Sequence, residues 1–270
     1  MNPVQEISVA ITFHYREVRL KYLESTCSSL AGIQQKIKVH VMTNANEQQA
    51  ARVSALLDRL GISYEIHSPT YLGHPYLLSW SHLSIFRRVL KGQPRVSHFL
   101  YLEDDTIFSA RNIDYWLTGR SRLREHGLIP SFMRYELMDS DHTVYSTDLI
   151  EPVSYESAPK IVLPDEEYAY IGLHKCYQGL YFLDRELMEE YFSASINPNR
   201  GHWGILEKAT QGVTFLNVPE GFNSRNVVGY FCSDRAIDQG ALIHHSPNNY
   251  ATNPASPFGK VPVSGAIIHD

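Results

Sequence analysis

FLYLEDDTIFS, residues 99–109, joins an apolar run to three consecutive acids and then turns apolar again. Phe99 to Leu102 have the composition of a buried strand, and Glu103, Asp104 and Asp105 close it. Adjacent carboxylates repel, and burying an ionised one is costly without a partner. A bound cation is one remedy. Hard divalent ions such as Mg²⁺ or Mn²⁺ take carboxylate oxygens together with substrate phosphates.

The residues before this stretch alternate two patterns. ISVAITFHY (7–15), IKVHVMTNA (37–45) and SYEIHSP (63–69) are rich in β-branched and aromatic residues and read as strands. REVRLKYLESTCSSLAG (16–32), EQQAARVSALLDRLG (47–61) and HPYLLSWSHLSIFRRVLKG (74–92) read as helices, the last with Pro75 near its start and Gly92 at its end. Strand–helix repetition at this spacing implies a parallel sheet with crossover helices. In such sheets ligands bind beyond the carboxyl ends of the strands, where the acidic triplet falls. The triplet is therefore expected to line the deepest polar cleft.

Beyond residue 110 the pattern is less regular. IDYWLTGRSRLREHG (113–127) and RELMEEYFSA (185–194) are helical, while LIPSFMRYELM, TVYSTDLI, KIVLP, LYFLD and VTFLNV read as short strands. No linker divides the chain. The expectation is one α/β domain over 1–270, with a nucleotide-binding half over 1–110 and an acceptor-binding and C-terminal half over 111–270.

Composition narrows the function. The chain has 270 residues, 43% of them hydrophobic, enough for an ordered core. A net charge of −5 without a basic cluster argues against nucleic acid as a partner. Cys27, Cys176 and Cys232 form neither a disulfide framework nor a zinc pattern, which suits a reducing compartment. The N-terminal residues carry no signal-peptide pattern and no window is apolar enough to span a bilayer. The expected location is cytoplasmic, with a peripheral membrane contact left open.

An apolar strand ending in an Asp-x-Asp-type motif about 100 residues into a βαβαβα half resembles the nucleotide-sugar glycosyltransferases of the GT-A fold. The resemblance implies a GT-A-like domain with a Rossmann-like half and a smaller mixed half. It also implies a metal-dependent transfer of sugar from a nucleotide-sugar donor, UDP-linked by preference, to a glycan or glycolipid hydroxyl. Surface polysaccharide or lipopolysaccharide assembly is the setting this suggests. By the same resemblance Asp105 binds Mn²⁺ or Mg²⁺, and Glu103 or Asp104 meets the ribose or the metal's water shell; Glu103 is a further metal candidate. One of His244 and His245, in ALIHHSPNNYA, supplies another ligand; on a strand the two point to opposite faces. Thr12, His14, Tyr15 and Arg16 at the first strand's end, and Asn44 at the second's, meet the nucleotide. Gln178 and Gly179 bind donor or acceptor sugar, and Trp203 offers it an apolar platform. Glu207 is the expected general base for an inverting reaction, with Asp184 and Glu220 as competitors. Each of these residues also has an ordinary reading, as loop packing or a solvated side chain.

Two other functions fit the same architecture. A nucleotidyltransferase would carry a Gly-rich loop after the first strand, where this chain has FHYREVR without a glycine. A non-catalytic nucleotide- or sugar-binding module would have lost acidic ligands, and all three are present.

Overall fold

The computed structural model describes residues 4–69, 72–138, 142–164, 167–173, 179–194 and 204–269. The class is α/β. The chain opens with β1 (Glu6–Phe13), α1 (Leu20–Ala31), β2 (Lys36–Thr43), α2 (Glu47–Arg59), β3 (Tyr64–His67), α3 (His82–Gly92), β4 (Val96–Glu103) and the two-residue β5 (Thr106–Ile107). Then come α4 (Ala110–Leu123), β6 (Ile129–Pro130), β7 (Met133–Leu137), β8 (Val144–Ser146), β9 (Val153–Ser154), β10 (Lys160–Val162) and β11 (Tyr168–Gly172). β12 (Leu180–Asp184), α5 (Arg185–Ser193) and α6 (Ile205–Thr210) follow. The chain ends with β13 (Asn226–Phe231), β14 (Ala236–Ile237), β15 (Leu242–His245), β16 (Val261–Pro262) and β17 (Ile267–Ile268).

These elements form two compact units, each built from two stretches of chain: 1–109 with 179–213, and 110–178 with 214–270. In the first unit the strand order is β12-β4-β1-β2-β3. β4, β1, β2 and β3 are parallel, and β12 joins β4 antiparallel. Ile7, Val9, Ala10 and Ile11 are all fully buried, as a central parallel strand covered on both faces requires. The path runs outward from β1 through β2 to β3, then crosses back by α3 to place β4 on β1's other side. The strand order therefore reverses between β1 and β4, with Thr12 in register with Glu103 there.

Local chemistry sets the helix limits. Asn46 and Gln49 form a reciprocal capping box at the start of α2, and Gly61 takes the left-handed conformation just beyond its end. The helix expected over 74–92 begins only at His82. Pro75–Ser81 forms a 3₁₀ segment instead, opened by Pro75 and by the His74 ring accepting from Tyr76 N. The strand expected at VTFLNV is a series of turns. Gly212 and Asn217 both take positive φ, which an extended strand cannot accommodate.

The second unit holds a mixed sheet, β10-β11-β13-β14, with β6 parallel to β13, and a smaller one in which β16, β8, β7 and β15 are neighbours. Gly119 on α4 faces Pro130 so closely that any side chain there would collide with the proline ring. Asn112 on α4 donates to the carbonyls of Gly240 and Leu242 at 2.8 and 2.9 Å.

Candidate functional site

The acidic triplet stands at the carboxyl end of β4, beside the point where the strand order reverses. Its compensating charge comes from the chain itself. A short 3₁₀ turn, Glu17–Arg19, follows β1 and delivers Arg19 to the triplet. Arg19 Nε donates to Asp104 Oδ2 at 2.9 Å, and Nη2 donates to Asp104 Oδ1 and Asp105 Oδ2, both at 2.7 Å. This is the planar fork matched to a carboxylate that only arginine supplies. Asp104 and Asp105 are 4% and 6% exposed. Burial pushes the Asp104 carboxyl up to about 7; Arg19 opposes that shift, and the charges of Asp105 and Glu103 add to it.

Helix α1 fastens the same loop. Thr26 Oγ1 donates to the carbonyls of Asp104 and Thr106, and Ser29 Oγ to that of Phe108. Three backbone carbonyls of the loop are thus held by hydroxyls one turn apart. Asp104 and Asp105, two of the acids that the resemblance sets around Mn²⁺ or Mg²⁺, are paired with Arg19 here. Both Asp104 oxygens and one of Asp105 already face the guanidinium. Among the described residues, the acidic loop brings no three metal-ligating side chains within reach of one ion. Nothing in the sequence pattern linked Arg19 to the triplet, because the pairing spans 85 residues.

At the ends of β1 and β2, Asn44 Oδ1 accepts from Tyr15 N at 2.7 Å and its amide lies 3.4 Å from His14 Nε2. His14 and Asn44 open onto a cavity of about 410 Å³ whose other walls are Leu72, Gly73, His74, Pro75 and Leu78. Arg16 is exposed. Thr12 Oγ1 is 2.9 Å from the Tyr101 hydroxyl. Tyr15, expected to stack on a base, is buried: its ring meets Phe13 edge-on and its hydroxyl donates to Glu17 at 2.6 Å.

Glu207 lies in the first turn of α6, half-buried. A side chain at Gly204 would collide with its carboxylate, so glycine there lets Glu207 fold back over the start of its own helix. Trp80 Nε1 anchors that helix by donating to Ile205 O at 2.8 Å. The competitor Asp184 caps α5, accepting from Leu187 N at 2.8 Å, and Glu220 is exposed. Gly179 is buried with φ +65° at the entry to β12. Gln178, Trp203 and Cys176 lie outside the described residues.

His244 and His245 belong to the second unit. They alternate on β15 as expected. His245 is buried, and its Nδ1 donates to Glu136 Oε1 at 2.7 Å; His244 stacks on Tyr135 with ring centroids 5.2 Å apart. Glu136 also accepts from the backbone N–H groups of Tyr250 and Ala251. Glu136 thus accepts on both oxygens, and it holds one nitrogen of His245.

The second unit also carries a cavity of about 590 Å³ that sequence reasoning missed. Tyr115, Tyr168, Tyr170 and Phe231 form its aromatic wall, with Arg111, Arg122, Asp114, Glu167 and Asp238 around it. Tyr168 donates to Asp238 Oδ2 at 2.6 Å, which fixes both. Neither this cavity nor the smaller one is lined by Glu103, Asp104 or Asp105.

No protein-family model and no curated protein matches the chain. Among solved structures it is similar to "Crystal structure of S. aureus TarS 1-349", with TM-score 0.43 and 14% identity over 91% of this chain and 62% of that one. It is also similar to "Crystal structure of S. aureus TarS", with TM-score 0.36 and 16% identity over 69% and 30%. The chain therefore spans less than two thirds of either. Likenesses this slight carry no argument about activity. Among the described residues no helix is long and apolar enough to cross a membrane.

Proposed function

We propose that this chain is a glycosyltransferase that takes a nucleotide-sugar donor, UDP-linked by preference, at the carboxyl edge of the first sheet. The acceptor is a hydroxyl of a glycan or glycolipid, in surface polysaccharide or lipopolysaccharide assembly. The observation that carries this reading is the reversal of strand order between β1 and β4, which gathers the acidic loop and Arg19 at the edge where open α/β sheets bind ligands. The cavity at His14 and Asn44 lies along that edge and suits a nucleoside. The aromatic cavity of the second unit suits a sugar ring, whose CH faces pack on Tyr and Phe.

Glu207 is the proposed base. The acceptor oxygen attacks the anomeric carbon, the bond from that carbon to the diphosphate oxygen breaks, and Glu207 receives the hydroxyl proton. The diphosphate leaves with the bonding electron pair. No step runs through a metal. Glu207→Gln keeps the size and removes the basic charge, so turnover is expected to fall by roughly 10²-fold with donor binding intact. Parental turnover in that variant, or a product of retained anomeric configuration, would remove Glu207 from this role.

The donor reading is tested by melting the protein against a panel of nucleotide sugars, with and without Mn²⁺. A specific donor raises the melting temperature in proportion to its concentration over its dissociation constant. If no nucleotide or nucleotide sugar moves the melt, the reading fails. A second reading, a binding module without catalysis, is favoured by one observation: Arg19 already neutralises the acids that a donor-bound metal would use. Binding without hydrolysis or transfer across the panel would select it.

A further inference from the structure

His40 lies on β2, and Glu65 and His67 lie on β3, the edge strand of the first sheet. His40 is in register with Glu65, and Met42 with His67. Residues two apart on a strand share a face, as do register partners, so all three side chains stand together. Their donor atoms converge. His40 Nδ1 is 3.1 Å from His67 Nε2 and 3.4 Å from Glu65 Oε2, and His67 Nε2 is 3.5 Å from that same oxygen.

We propose that His40, Glu65 and His67 form a binding site for a zinc-class divalent transition metal. A tetrahedral zinc with ligands at about 2.0–2.1 Å holds its donor atoms about 3.3–3.4 Å apart. The observed triangle, with edges of 3.1, 3.4 and 3.5 Å, matches one face of that tetrahedron. Two imidazoles and a carboxylate are also a recognised zinc donor set, one that leaves the fourth position open. The carboxylate is already oriented: Lys38 Nζ donates to its other oxygen, Oε1, at 2.6 Å, the kind of outer partner that fixes a ligating carboxylate. Arg88 Nη2, 3.4 Å from Oε2, is the competing cation; its side chain is 64% exposed and has room to withdraw. His40 is buried, while His67 and Glu65 are partly exposed and give an ion its approach. The site is separate from the acidic loop, with β1 and β2 between β3 and β4 in the sheet, and it does not depend on the glycosyltransferase reading.

The test uses the full chain stripped with EDTA and titrated with Co²⁺, then with Zn²⁺. The expected result is one equivalent of Co²⁺ showing the visible absorption of a four-coordinate site, displaced by Zn²⁺, with a raised melting temperature. His67→Gln and Glu65→Gln should each weaken that binding by more than about 10-fold, while His126→Gln, in the second unit, leaves it unchanged. Should His67→Gln fail to fold, His67→Cys keeps a ligand at the position and should bind Co²⁺ with a new thiolate charge-transfer band. Absence of saturable binding at micromolar metal, or parental affinity in both Gln variants, would overturn the proposal and leave an ordinary hydrogen-bonded cluster.

Discussion

Arg19→Leu is expected to destabilise the protein by about 3 kcal/mol, the lower end for removing one partner of a buried ion pair. The lower end applies because the Arg19 side chain is 30% exposed, whereas its two partners are nearly buried. The loss arises from what stays behind: two adjacent carboxylates, each short of water and without the guanidinium that neutralised them. Urea unfolding of Arg19→Leu, Asp104→Asn and the double variant forms a cycle that isolates the pair. The double variant should be less damaged than the sum of the singles, since the amide no longer needs the guanidinium. Strict additivity would mean that the fork contributes nothing. The same geometry reverses a simple inference from the triplet alone. By repulsion only, Asp105→Asn would leave the fold unharmed or strengthen it. With Arg19 seated at 2.7 Å from Asp105, the substitution removes an ionic hydrogen bond and should destabilise.

Acidification from pH 7 to about 4.5 is expected to weaken the first unit through histidines that burial holds neutral, His82 and His98 among them. Burial pushes His82 down to about 3, despite its Nδ1–H donating to Ser79 O, and pushes His98 down to about 4. His82 packs against Tyr101 with ring centroids 4.2 Å apart, and His98 stacks on Phe182 at 5.2 Å. In the unfolded chain both titrate near 6.5. Below that pH the unfolded state binds more protons than the folded one, so stability falls as pH falls through the window between about 6.5 and the folded values. Each imidazole contributes roughly 2 kcal/mol to that loss at pH 4.5, since every tenfold difference in proton affinity between the two states is worth about 1.4 kcal/mol. Asp104 works the other way. Its carboxyl is raised to about 7, so the folded state takes up that proton more readily and part of the loss is offset. Proton NMR of the imidazoles should show both rings neutral at pH 5. A ring titrating near 6.5 in the folded protein would refute its part in the effect. His82→Gln should flatten the dependence of urea stability on pH by about one group's share.

The parallel sheet was legible because strands and helices announce themselves locally. The apolar runs of β1, β2 and β4, the capping residue Asn46 and the breakers Gly61 and Pro75 each act within a few residues of themselves. The position of Glu103–Asp105 at a strand's carboxyl end followed from that pattern. Its partner did not. Arg19 looked like one of several cations in a helical stretch, and only the register of β1 against β4 brings it across. His40 and His67 were equally silent, because strand neighbours separated by a whole crossover helix leave no spacing signature. VTFLNV failed for a different reason. Its composition is strand-like, but positive φ at Gly212 and Asn217 turns the backbone out of the extended region. The contacts of Tyr15 were silent too: its ring lies edge-on to Phe13 and its hydroxyl donates to Glu17.

The antiparallel seat of β12 against β4 has a consequence for biosynthesis. On the ribosome, β1 to β4 emerge as a block, but the neighbour that covers the outer side of β4 is encoded only at residues 180–184. Until then a strand rich in Phe, Leu and Tyr offers an open row of amides and carbonyls to any nascent chain nearby. A gene fragment cut after residue 109 reproduces that intermediate permanently. It should sediment as aggregates, whereas co-expression with a segment carrying 179–213 should restore soluble material. Slow translation between the two stretches would lengthen the exposure, so this chain should lean on a holdase during synthesis more than a protein of equal size whose sheet closes in sequence order.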